Sequence, residues 1–202
     1  MRCLPFLLAV LPLLAAAQPY SNADPEVGRV EVITEEEFYD VEGATAEALA
    51  GTLLARGPRV GGKRFFGKTE WEVMAEYRWV ERATGCAIED LDVYALVTVR
   101  LPRWQDPHAA PPTLRQQWSR FISALERHER RHRDLAEEAA HAIRWRLVSV
   151  RARTCDAIEA AAQREVQHVL DSYERRQRQY DEHTGHGQTQ GATWPPREEP
   201  SA

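Results

Sequence analysis

The stretch TLRQQWSRFISALERHERRHRDLAEEAAHA, Thr113–Ala142, decides how this chain is read. Its apolar residues recur at steps of three and four: Leu114, Trp118, Phe121, Leu125, then Leu135, Ala139 and Ala142. That is the period of a helix with one buried stripe. Two histidines, His128 and His132, continue the stripe where it would otherwise break. Arg127, Arg131, Arg133 and Glu137 point mostly elsewhere. The imidazoles therefore belong to the inward face of a core helix.

Working outward, RWQDPHAAPP (Arg103–Pro112) reads as a loop, and Pro102 as the end of a strand. In TEWEVMAEYRWVE (Thr69–Glu81), Trp71, Val73, Ala75, Tyr77 and Trp79 alternate with Glu70, Glu72, Glu76 and Arg78. DVYALVTVRLP (Asp92–Pro102) alternates likewise through Val93, Ala95, Val97, Val99 and Leu101. Both read as half-buried strands, and Gly85-Cys86 between them suggests an antiparallel pair. RVEVITEEEFYDVEG (Arg29–Gly43) is extended. TAEALAGTLLARGP (Thr45–Pro58) is a short helix with Thr45 as N-cap and Gly57-Pro58 as its stop. A second long helix is expected over 152–178, with Cys155, Ile158, Ala162, Val166, Val169 and Tyr173 inward. The expected fold is α+β: a small antiparallel sheet in the N-terminal half, packed on two long helices.

The chain opens MRCLPFLLAVLPLLAAAQPYSN, with a basic residue, an apolar core and a small-residue site at Ala15-Ala16-Ala17. This reads as a signal peptide over 1–17, followed by a loose lead-in over 18–28. One domain is expected over 29–192 and a flexible tail over 193–202. No later segment reaches the ~20 apolar residues of a membrane helix, so no stable membrane insertion is expected after cleavage. Net charge is −5 with no basic face, which argues against nucleic acid. Export leaves two cysteines, Cys86 and Cys155, which in an oxidising compartment most simply pair. Closing so long a loop stabilises by roughly 4 kcal/mol on loop-entropy grounds.

An i, i+4 histidine pair on one helix face can present two ring nitrogens to one Zn²⁺. Glu129 follows the first histidine, where a carboxylate can deprotonate the metal's water as general base. A catalytic zinc usually takes a third protein ligand. His141 lies nine residues past His132, about 180° round the helix, so it faces away. Glu138 falls where a metzincin would place its third ligand, but Leu135 replaces the glycine that motif needs. A second polar cluster, Tyr180, Asp181, His183, Thr184 and His186, follows the second helix among glycines.

Taken together, FGKTEW, Cys86, VRLPRW, HERRH, Cys155 and YDEHTGHG resemble a family of bacterial secreted proteins of unknown function described as predicted zinc-dependent proteases. The resemblance spans about Val30 to Pro195. Its most specific pieces are HExxH and Y-D-x-x-T-x-H-G, here Tyr180, Asp181, Thr184, His186 and Gly187. It implies a zincin-like assignment. With the two motifs paired, His186 is expected as third ligand beside His128 and His132, with His183 in reserve. Tyr180 is expected to donate a proton to the developing oxyanion, and Asp181 to orient a ligand imidazole. The expected activity is that of a secreted or periplasmic zinc metallopeptidase acting on a peptide or protein substrate. The alternative is a non-catalytic envelope binding or scaffolding protein with a structural zinc.

Overall fold

The computed structural model of the chain describes residues 28–196. The expected signal peptide, most of the lead-in and the end of the tail lie outside the described residues. The elements run β1 (Arg29–Val41), α1 (Ala46–Arg56), a β2 (Arg59–Val60) and β3 (Lys63–Arg64) hairpin, β4 (Lys68–Arg82), β5 (Gly85–Trp104), α2 (Pro112–Leu147), β6 (Arg151–Ala152) and α3 (Ile158–Thr184). The architecture is α+β, a small sheet packed on long helices, as the periodicity implied.

The main sheet has the order β1-β5-β4, with β6 added to β5. β4 and β5 pair antiparallel, Trp71 opposite Val97 and Ala75 opposite Val93. β1 runs parallel to β5, Val32 opposite Ala95, so the sheet is mixed rather than purely antiparallel. The chain leaves β1 through α1, comes back along β4, and reverses into β5, which slots between the other two. β5 continues past Pro102 to Trp104. By then β4 has ended, its last pair being Lys68 with Arg100, so Pro102 has only β1 as a neighbour. A missing N–H is tolerated where a strand has an open side. A register shift at Arg78/Trp79 breaks the alternation, which leaves Trp79 exposed instead of inward.

α2 buries Leu114, Trp118, Phe121, Leu125, His128, His132, Leu135 and Ala139, as expected. Its stripe then takes a second four-residue step to Ile143, while Ala142 is only half-buried. Alternating threes and fours average 3.5 residues, and the helix's own 3.6 period demands that correction. The helix runs through two apolar clusters. One gathers Leu49, Leu53, Trp104, Trp118, Phe121 and Trp194. The other gathers Leu91, Val93, Leu135, Ile143, Leu147 and Ile158.

Cys86 and Cys155 form a disulfide in the second cluster, with Cα atoms 5.0 Å apart. Cys155 sits on a single 3-10 turn rather than in the helix, because Ala152 is engaged in β6, paired with Cys86. α3 therefore starts at Ile158 and runs on to Thr184, capped by Gly185 at φ 56°. Only glycine enters that left-handed conformation without strain. Trp194, inside the segment expected to be loose, is buried among Trp118 and Phe121 and donates from Nε1 to Ala46 O at 2.9 Å. Among the described residues no helix is long and apolar enough to cross a membrane.

Candidate metal centre

α3 packs back along α2, and four-residue steps on each helix keep the two in register. His132 meets Gln177, and one turn on, His128 meets Asp181. Periodicity alone left open whether the end of α3 could reach the histidines. Its six further helical residues carry Asp181 there directly, with no fold-back of a loop.

Each histidine is set by an amide. Gln177 donates from Nε2 to His132 O at 3.0 Å, which turns its oxygen toward His132 Nδ1. Gln190 donates from Nε2 to the Tyr180 hydroxyl at 3.0 Å, which turns its oxygen toward His128 Nδ1 at 3.0 Å. Both imidazoles thus donate from Nδ1 and aim the Nε2 lone pair inward. The two Nε2 atoms are 3.2 Å apart, and Asp181 Oδ1 lies 3.2 Å from one and 3.1 Å from the other. Three acceptors so close repel one another unless a proton or a cation lies among them. Ligands ~2.0–2.1 Å from a tetrahedral zinc are spaced about 3.3 Å apart, so the donor set fits one. Among the described residues, His128, His132 and Asp181 form the group able to hold a metal ion. Burial works to raise the pKa of Asp181, but a proton shared with the Nε2 atoms of His128 and His132 outweighs it and holds the carboxyl well below its usual range. Asp181 is thereby ready to ligate, since a metal needs the ionised carboxylate.

Glu129 is buried beside this group at 4% exposure. Thr69, on β4, donates to its Oε2 at 2.8 Å. Burial pushes the Glu129 carboxyl up from its ordinary value, and the Thr69 bond opposes that in part. Gly67 makes room: a Cβ there would stand 2.6 Å from Glu129 Oε1. Gly187 does the same for His128, at φ 82° and with a Cβ position 3.1 Å from the ring. The group forms one wall of a cleft of about 560 Å³, whose other walls come from the β2–β3 hairpin, the start of β4 and the segment around Trp194.

The remaining sequence candidates are distributed as follows. His186, expected against the two histidines, makes its contact with Asp181, Nδ1 to Oδ1 at 3.3 Å. It faces the cleft, packs edge-on against Phe65 and adopts φ 53°, a strained value for a residue with a side chain. Tyr180 stacks on His128, with ring centroids 4.9 Å apart, and its hydroxyl meets Gln190. His183 turns away to Gln179 O at 2.8 Å. His141 is exposed, and Glu138 pairs with Arg131 and Arg176. Sequence reasoning did not single out Thr69, Gln177 or Gln190. Gln177 carried a signal, since it stands four residues before Asp181 on the same helix face.

No curated protein and no solved structure matches the chain. Residues 36–187 match the family described as "Bacterial protein of unknown function (DUF922)", and the chain belongs to that family.

Proposed function

We propose that the chain is a zinc-dependent peptidase that works in the periplasm or outside the cell. The observation that carries this reading is the convergence of His128 Nε2, His132 Nε2 and Asp181 Oδ1 at tetrahedral-edge spacing on the wall of an open cleft, with buried Glu129 alongside. The disulfide agrees with an oxidising compartment. The HExxH resemblance points the same way.

In this reading His128, His132 and Asp181 hold the metal, and His186 steadies Asp181 from the cleft side. When bound, zinc would supply Lewis acidity toward a carbonyl and toward water. Glu129 serves as general base. Its raised pKa moves it toward the range where a carboxylate takes and returns a proton efficiently. Thr69 holds Oε2, which leaves Oε1 to receive the proton. Tyr180 acts here through position, seating the His128 ring and Gln190. The oxyanion role would require its hydroxyl to leave Gln190. Three protein ligands beside an open cleft favour catalysis over a structural zinc, which would be closed by four.

The test is metal analysis of the exported chain together with a broad peptide-cleavage screen. One zinc per chain and measurable cleavage are expected. Glu129→Gln should keep the zinc and lose about 10²–10⁴-fold in kcat. Stoichiometric zinc with no cleavage of any peptide would transfer the chain to the scaffolding class.

A further inference from the structure

The cleft carries a charge bias opposite to that of the molecule around it. The chain's net charge is −5. The sheet face turned away from the helices is rich in exposed carboxylates, such as Glu31, Glu35, Glu72 and Glu76. Around the cleft, setting aside Glu129 and Asp181 of the centre itself, the charged lining side chains are Arg64, Lys68 and Arg178. Arg64 and Lys68 come from the β3–β4 segment, and Arg178 comes from α3, one turn before Asp181. The same cleft takes in Leu54 and Val60, two large apolar side chains left 56% and 48% exposed, next to Phe65.

We propose that the substrate of this site is a peptide segment that pairs a bulky apolar side chain with a carboxylate, and that Arg64, Lys68 and Arg178 read the carboxylate. The proposal rests on the cleft being the substrate site of the proposed function, though not on bond cleavage. Field lines in a walled cleft are focused, so three cations there attract an anion more strongly than the same charges on an open surface. Their present partners are easily exchanged. Lys68 pairs with Glu70, and Arg178 with Glu174 at 3.7 Å, and both acids are more than half exposed. Exposed pairs of this kind contribute little, so a carboxylate entering the cleft can displace them. Arg64 donates to Gly57 O at 2.5 Å, which holds the guanidinium at the rim, and no ion pair among the described residues involves it. The apolar residue supplies burial against Leu54, Val60 and Phe65, and the cations set which neighbour it has.

The carboxylate could be an Asp or Glu side chain or the free C-terminus of a peptide, and the experiment separates these. Three synthetic peptides share one Leu-containing core. One is C-terminally amidated with Gln beside Leu. The second is amidated with Glu in place of Gln. The third keeps Gln and has a free carboxylate. Each is titrated calorimetrically against the exported Glu129→Gln chain, which holds the peptide without consuming it. One of the two carboxylate peptides should bind about tenfold more tightly than the neutral one, and the advantage should shrink as salt is raised. Arg64→Gln combined with Arg178→Gln should reduce the advantage below about threefold, and the Lys versions of both should restore most of it. Matching thermal unfolding curves exclude a folding defect. Equal binding of all three peptides, or no binding of any, overturns the proposal. Carboxylate preference without wild-type cleavage would sink the peptidase reading and leave this one standing; cleavage without preference would do the reverse.

Discussion

The two ends of α2 are held in different ways. Toward Leu147, the helix packs into a cluster cross-linked by Cys86–Cys155 and knitted by β6 to β5. Toward Pro112, it packs among edge-on and tilted aromatic rings, and the Trp194 segment covers that cluster with one indole hydrogen bond to α1. The candidate metal centre lies between them, and its cleft opens toward the end without a covalent link. The contrast suggests a division of labour. A covalently fixed end supplies stability, and the aromatic end stays adjustable enough to admit a ligand.

If so, substitutions at the two ends should separate stability from metal binding. The largest effect belongs to the centre itself. Asp181→Ala should reduce zinc from one per chain to a small fraction by metal analysis, whereas His186→Ala should keep the stoichiometry and weaken affinity about 10–100-fold, the usual cost of losing a group that supports a ligand. Loss of stoichiometric zinc in His186→Ala with retention in Asp181→Ala would restore the ligand set expected from sequence. Next comes the covalent end. Cys86→Ala with Cys155→Ala should lower unfolding free energy by roughly 4 kcal/mol in a urea titration, with zinc content unchanged. A loss of zinc in that double variant would show that the disulfide shapes the centre and would break the comparison. At the aromatic end, Trp194→Ala should cost about 3 kcal/mol by the same measurement. It should also raise KM, since Trp194 lines the cleft. The smallest effect is Tyr180→Phe, which removes the hydroxyl's bond to Gln190 and keeps the stack on His128. Its kcat should fall less than about tenfold, while a loss near that of Glu129→Gln would return Tyr180 to the oxyanion role.

Much of this arrangement was readable in the residues, and what was not has physical causes. The inward placement of His128 and His132 followed from the stripe of α2, because a 3.6-residue period is a local property. The β4–β5 pair followed from alternation for the same reason. The parallel pairing of β1 did not, since a strand's sequence records which face is buried and not which neighbour it joins. The apolar spacing of Cys155 and Ala162 starts α3 six residues early, because a 3-10 turn entering a helix satisfies that spacing too. That shift hid the main point about the centre. A helix ending at Arg178 puts Asp181 in a loop, in the role of a supporting residue. Continued to Thr184, the same helix sets Asp181 four residues past Gln177 and against both histidines. Gln190 was beyond reach of any local pattern, since its contact with His128 spans 62 residues.

The Gln190 contact also bears on the order in which the parts of the site become available. A chain that emerges N-terminus first presents Cys86 and Cys155 before Asp181, and Asp181 before Gln190. The cross-link can close while the metal centre still lacks its carboxylate and the amide that sets the His128 tautomer. Oxidation can therefore run ahead of completion of the candidate metal centre. Until the stretch around Gln190 has packed back onto α2, the His128 ring lacks the amide that sets its tautomer, even where α3 has already brought Asp181 to both histidines.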